Sequence, residues 1–558
     1  MIIISVGIFF RTYHFHDWLL FKGDAFRDAT MVSNAYRVGV ESLPLLGPRA
    51  GGTMLHLGPI FYYFQYAAVS LFRSMSAPVL AYPDLFFSIL TIPVFYCFSK
   101  RYFSSLWSLA MAAMLAVSFL AIEYGRFAWN PNSTLFFTLV FSYALLRLYD
   151  TESVAKNPLR WSFVAGTALA IASQLHFSAF LGLPIALILF LLLRLKDTKK
   201  VLSYKVVLVF LLSLLIVYAP VFISELFKQG ENTRLFFSAI SSKADSHGML
   251  QNIFLVAVMF AKYFLRIGLG IVASGKTLLV LAGLFGGAGF LANVLLLRDE
   301  KNETKRNFLQ WTLILISVYF LLYIPLAFKI DRPRFFLPFM MLPYLYLGYI
   351  LVFLRKHTAY PRLIAACGLL GLGVVVYGNV SATVRWFSDL SDAQQTLTST
   401  VEKNSKGKNF WLTWGHFDRA ATAIDASCGK YSTIYFSMAK NIMEYSHSLE
   451  YALLQKGPER EIVIERKYAS SKRAGCYYFI ALPHASLPEL IVQERRTAPL
   501  DVGNLHIIRF YPAGAEETPG ENVVPTGKQK KETFFVPEKI TRNSRVFWGD
   551  VWYKLRYW

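Results

Sequence analysis

Residues 23–28 read Gly-Asp-Ala-Phe-Arg-Asp, which sets two carboxylates, Asp24 and Asp28, around Arg27 shortly after an apolar run. A carboxylate beside a substrate is a candidate general base for a hydroxyl or an amine. Asp24 and Asp28 are four residues apart, so on a helix they share one face, where like charges destabilise unless a cation answers them. Arg27 points elsewhere on such a helix and reads as a poor answer to the two carboxylates; it is counted with the candidate donor-phosphate and substrate-binding residues, and its local effect is charge balance. Asp24 also has the type and position of a helix N-cap for the stretch that follows. The bland and the catalytic readings stand side by side.

More polar residues recur along the chain, each near the end of an apolar run. His56 opens "HLGPIFYYF", Arg126 and Asn130 lie in "YGRFAWNPN", and His176 ends "SQLH". Lys329, Arg332 and Arg334 crowd into "KIDRPR". Taken singly, the histidines read as packed residues and the arginines as interface anchors or lipid contacts. Taken together they describe a reaction. Arginine and lysine at a membrane interface suit a phosphate whose tail lies in the bilayer. A carboxylate on the same face would activate an acceptor while the cations take up the charge of a departing phosphate.

The composition says what must hold these residues. Of 558 residues, 55% are hydrophobic and 16% charged, with a mean hydropathy of +0.41. A water-soluble chain could not hide that much apolar surface. The expected fold class is a polytopic α-helical membrane protein with a small α/β domain after it. Spans are predicted at about 1–10, 83–99, 104–123, 133–149, 161–175, 177–194, 204–224, 277–297, 308–327, 335–354 and 362–380. The first is too short to cross alone. Either it continues past Arg11 or the chain as given lacks its first half, the reading favoured here; no cleaved signal peptide is expected.

Basic clusters at 100–101, 147–160, 194–200, 298–306 and 355–357 all fall on one side of this topology, which the positive-inside rule makes cytoplasmic. Loops 11–82 and 225–276, and everything after 380, then face the exterior. The apolar stretches 56–72 and 249–272 are expected to lie in the outer interface or to re-enter it. The net charge of +22 is assigned to loops and anionic lipid, and nucleic acid is excluded because no recognition module accompanies the charge.

Domains are expected at 1–380 and 381–558. In the second, "STIYFS", "CYYFIALP" and "NLHIIRFY" read as buried strands, and the aromatic stretch "VFWGDVWYKLRYW" is expected to dock on the membrane surface. Cys428 and Cys476 could pair if that part is extracytoplasmic. No spacing suited to a metal is seen, so no metal or other cofactor is expected.

The ordered set "GDxxRD", "LLGP", "HLGPIFYYF", "RFAWNPN", "QLHF" and "RFFLPF" resembles the GT-C membrane glycosyltransferases of the dolichyl-phosphate-mannose-protein mannosyltransferase and aminoarabinose transferase type. The resemblance covers about residues 1–380. It implies about eleven to thirteen transmembrane helices, with helices of the first exterior loop lying over the site. It implies a sugar donor on a polyprenyl phosphate, transfer with inversion, and no required metal. The acidic base of the family's first loop maps onto Asp24. The family's usual Asp-Glu is Asp24-Ala25 here, so Asp28 stands as a rival. Arg126 and Arg334 map onto donor-phosphate contacts. The implied partners are the polyprenyl-phosphate sugar, membrane lipid and a glycan, lipid or protein acceptor, at the outer face of the cytoplasmic membrane. A polyprenyl-linked glycan polymerase or ligase is the nearest alternative, and a lipid-linked sugar flippase or transporter is the alternative of another class.

Overall fold

A backbone in hydrocarbon must satisfy its polar groups within itself, so long apolar segments become helices. The computed structural model describes residues 1–21, 23–51, 53–150, 157–243, 248–271, 275–395, 412–428, 432–457, 460–465, 474–482, 485, 487–512 and 545–556. Among the described residues, six helices are long and apolar enough to cross a bilayer: Ala77–Ser99, Tyr204–Phe227, Met249–Leu269, Lys276–Asp299, Glu303–Lys329 and Pro361–Ser391. Pro333–Phe339 and Leu342–His357 together make a span bent by 50°. Shorter apolar helices, among them Ile2–Thr12, Ser105–Ala116, Thr134–Leu148 and Phe177–Leu193, accompany them. The chain is a multi-pass helical membrane protein.

The five basic connections meet at one end of the bundle. Arg101 pairs with Asp150, which also accepts from the Thr304 hydroxyl at 2.9 Å. Arg194 pairs with Glu303, and Lys356 with Asp299 at 3.1 Å. The predicted span 104–123 is corrected: it is two helices, Ser105–Ala116 and Phe119–Tyr124. The break at Val117–Ser118 is stabilised from outside by Asn379, whose Oδ1 accepts from the Phe119 N–H at 2.8 Å.

Of the two ambiguous apolar stretches, Ile60–Phe72 has 13 residues, about 20 Å of helix, too little to cross. Met249–Leu269 is long enough, yet residues 260–270 run across the end opposite the basic connections. There Tyr263 donates to the Asp331 carbonyl at 2.7 Å, Arg266 pairs with Glu123 at 2.8 Å, and the Ile267 carbonyl accepts from Tyr344 at 2.8 Å.

At that same end lie two helices of the first loop, Asp24–Val38 (α1) and Ile60–Phe72 (α2). The hairpin between them is tight: a Cβ on Gly47 would stand 2.0 Å from the Gly58 carbonyl oxygen, so glycine is needed for the close approach.

The three strand-like stretches read from the sequence are neighbours at the centre of one sheet: Ile434–Met438 (β1), Cys476–Ala481 (β3) and Leu505–Tyr511 (β6). The order is β2-β1-β3-β6-β4, with β2 Ile462–Ile464, β4 Arg495–Arg496, and β5 Leu500–Val502 pairing with β6. Cys428 and Cys476 form a disulfide. The sheet domain rests on the first loop: Ser448 donates to the Phe21 carbonyl at 2.6 Å, and Tyr451 meets Ser33 at 2.7 Å.

The aromatic segment from Arg545 to Arg556 has a protein partner that its composition does not announce. Its start is held by the first loop. The Leu45 N–H donates to the Val546 carbonyl at 2.9 Å and the Trp548 N–H to the Leu43 carbonyl at 3.2 Å. The Trp548 indole N–H adds a bond to the Tyr63 hydroxyl at 3.1 Å.

Candidate active site

The start of α1 carries the cluster met first in the sequence. Asp24 is the first residue of the helix and makes no cap; Gly23 precedes it. Arg27 stands one turn on and answers both carboxylates. Its Nη1 donates to Asp24 Oδ1 at 2.8 Å, and its Nε and Nη2 reach Asp28 Oδ1 at 2.8 and 2.7 Å. The expectation that Arg27 points away is therefore corrected: at i+3 it shares the face of Asp24, and its length lets it bend back over Asp28. Burial alone would lower the Arg27 guanidinium, but Asp28, Tyr62 and Asp24 outweigh it and hold it firmly charged.

The two acids differ in setting. The Asp28 side chain is 0% exposed and the Asp24 side chain 49%. Asp28 Oδ1 also accepts from the Tyr62 hydroxyl of α2 at 3.0 Å, so it locks the two loop helices together. Asp24 Oδ2 accepts from the Trp129 indole N–H at 3.1 Å and faces a cavity of about 560 Å³.

That cavity brings together Asp24, Arg27, Arg49, Trp129, Asn130, His176 and Arg334. Three arginines line it against one carboxylate. The guanidinium of Arg334 lies 5.1 Å above the Trp129 ring and 5.4 Å from that of Phe335. Among the described residues it has no hydrogen-bond or ion-pair partner, and it passes so near Gly51 that a Cβ there would be 3.1 Å from Nη2. A second cavity of about 500 Å³ adjoins the first across Gly51, Phe177, Arg334 and Phe335, and is lined by Lys329 and Arg332 together with Leu326 and Phe328.

The remaining candidates hold structure. Asn130 donates from Nδ2 to the Leu175 carbonyl at 2.6 Å, fixing the loop. His176 caps the helix Phe177–Leu193, its Nδ1 accepting from the Ser178 N–H at 3.3 Å. His56 lies outside the cavity, its Nδ1 2.9 Å from the Gly47 carbonyl.

Burial, reinforced by Arg545, lowers the His56 imidazole to about 4. The unfolded chain, near 6.5, takes up that proton more readily. This contribution to stability is full above about pH 6.5 and is lost as pH falls towards 4. The melting temperature of the purified protein is expected to drop over that window, with a shallower drop for His56→Gln.

Arg126 does not face the cavity. It is 2% exposed and donates to the carbonyls of Phe10, Arg11 and Tyr13 at 2.8–3.1 Å, closing the C-terminus of the helix Ile2–Thr12, with Phe387 5.0 Å away. Its mapping onto a phosphate contact is corrected for that reason: it is buried away from the cavity, and its Nη1 and Nη2 donate to backbone carbonyls. Arg49 is a cavity residue that the sequence reading does not assign, and Trp129 is one that it assigns to the interface beside Arg126. Arg49 directly follows the "LLGP" motif, and Trp129, inside "RFAWNPN", reads from sequence as a belt aromatic.

A family model described as dolichyl-phosphate-mannose-protein mannosyltransferase matches residues 56–223. ArnT from Cupriavidus metallidurans bound to undecaprenyl phosphate superposes with a TM-score of 0.55 at 12% identity, over 93% of this chain and 99% of that one. This chain has the GT-C fold. The apo state of the same ArnT gives 0.55 and 12%, over 93% and 98%. The Archaeoglobus fulgidus oligosaccharyltransferase crystallised with zinc and sulfate gives 0.45 and 14%, over 86% and 67%. No curated protein matches the sequence. The GT-C resemblance drawn from the ordered motifs is borne out. Within the GT-C fold, the matched segment contains His56, Arg126, Asn130 and His176; Asp24 precedes it and Arg334 follows it.

Proposed function

We propose that this protein is an inverting glycosyltransferase that moves a sugar from a polyprenyl-phosphate donor to an acceptor on the extracytoplasmic side. One observation carries the reading: a half-exposed carboxylate, Asp24, and an arginine that makes no ion pair among the described residues, Arg334, line one cavity. Asp24 accepts the acceptor's proton, the acceptor atom attacks the anomeric carbon, and the bond from that carbon to the phosphate oxygen breaks. The electron pair leaves with the phosphate, and Arg334 stabilises its charge. Lys329 and Arg332, beside apolar Leu326 and Phe328 in the adjoining cavity, suit a charged head whose chain runs into lipid. Among the described residues no cluster of His, Cys, Asp or Glu could hold a metal ion, and the reaction as proposed draws its positive charge from arginine.

Two features support the outer side. The basic connections lie at the far end of the bundle from Asp24, where the positive-inside rule favours cytoplasm. The Cys428–Cys476 disulfide suits an oxidising compartment. The site residues sit at the ends of helices: Asp24 opens α1, Trp129 and Asn130 precede Thr134–Leu148, and Arg334 is at the start of Pro333–Phe339.

The test is release of polyprenyl phosphate from a panel of labelled polyprenyl-phosphate sugars by purified protein in lipid. Arg334→Gln is expected to lower kcat/KM by about 10²-fold, the scale of losing one preorganised contact to developing charge. A wild type that releases nothing with any donor overturns the reading.

A further inference from the structure

Trp129 touches both halves of this site. Its indole N–H donates to Asp24 Oδ2 at 3.1 Å, and its ring face lies 5.1 Å beneath the Arg334 guanidinium. We infer that Trp129 is a positioning residue that joins the base to the phosphate-binding arginine and keeps the two from pairing with each other.

The place of Trp129 is set independently of both partners. Its backbone N–H donates to Asp84 Oδ2 at 3.0 Å, and the other oxygen of Asp84 accepts from Ser133 at 2.5 Å. The Asn130 side chain bonds the Leu175 carbonyl, and Asn132 Nδ2 donates to the Phe127 carbonyl at 2.7 Å. The loop 127–133 is thus pinned to the helix Ala77–Ser99, to the end of Pro158–Leu175 and to itself. What it presents to the cavity is rigid.

The chemistry explains the residue type. An aspartate and an arginine facing one cavity attract each other; Asp24 Oδ1 is already paired with Arg27, and a direct pair with Arg334 would take its second oxygen and occupy the cation that faces the cavity. A neutral spacer prevents that only if it satisfies each group without neutralising it. Tryptophan does both at once, with a single N–H donor at the ring edge and an electron-rich face for a cation. Asp24 Oδ1 is held by Arg27 and Oδ2 by the indole. The carboxylate is thereby oriented from two sides, with half of its surface open. Arg334 stays free to meet an anion.

The inference rests on the proposed reaction, and two variants separate its two halves. Trp129→Phe keeps the ring face and removes the N–H: kcat is expected to fall about ten- to a hundredfold, the scale of a small misplacement of a reacting group. Its donor KM is expected to stay within about threefold, and its melting temperature close to that of wild type. Trp129→Leu removes both contacts, so kcat falls further and the donor KM rises at least tenfold. Binding of polyprenyl phosphate, measured without turnover, is expected to weaken in Trp129→Leu and to hold in Trp129→Phe. Full kcat in Trp129→Phe, or an equal rise in KM for both variants, overturns the inference. If wild type turns over no donor, the reaction reading falls, and the arginine half is decided by the binding measurement: equal binding by both variants overturns it.

Discussion

Asp24→Asn is expected to lower single-turnover release of polyprenyl phosphate by about 10²–10⁴-fold, the usual contribution of a positioned general base. Donor binding should change little, because the donor's charge is met by the arginines. The fold should tolerate the change. Asparagine keeps an oxygen for the Trp129 indole, and the ion pair lost to Arg27 sits at a side chain 49% exposed, where such pairs are worth little. Rate and melting temperature measured on one preparation therefore separate loss of chemistry from loss of structure. A variant with full rate would remove Asp24 from the mechanism.

Asp28→Ala is expected to fail in the opposite way. Asp28 is buried, and it accepts from Arg27 and from Tyr62. Removing it leaves the buried part of Arg27 without its main counter-charge and unties α1 from α2. Breaking a buried pair by deleting one partner costs about 3–5 kcal/mol. The protein should melt earlier, and its activity should be limited by how much remains folded. Asp28→Asn keeps an acceptor for Tyr62 and should lose less. An Asp28→Ala protein that melts like wild type but does not transfer would give Asp28 the chemical role assigned above to Asp24.

The contrast between these acids shows where reading the sequence runs out. Spacing puts Asp24 and Asp28 on one face, and nothing local says which is covered. The covering comes from Tyr62, 34 residues on, and from a long arginine that bends back. Arg126 fails for the same reason in reverse: a cation near a span end looks like a lipid contact until the carbonyls of Phe10, Arg11 and Tyr13 are seen to claim it. Features that depend on composition along one segment were legible. The apolar runs are helices, the basic connections gather at one end, and the three strand-like stretches lie side by side. The break at Val117–Ser118 was invisible because its stabilising partner, Asn379, is 260 positions away.

The backbone pairing of Leu43 and Leu45 with residues 546–548 also fixes an order of events. The first loop is made about 500 residues before its mate. A nascent chain can have made Asp24, Trp129 and Arg334 and still wait for the segment that its hairpin needs. During that interval the Leu45 amide has only water or lipid headgroups to bond. A ribosome that stalls, or a protease that cuts, before residue 545 would leave every reacting group present and the hairpin beside them unfinished.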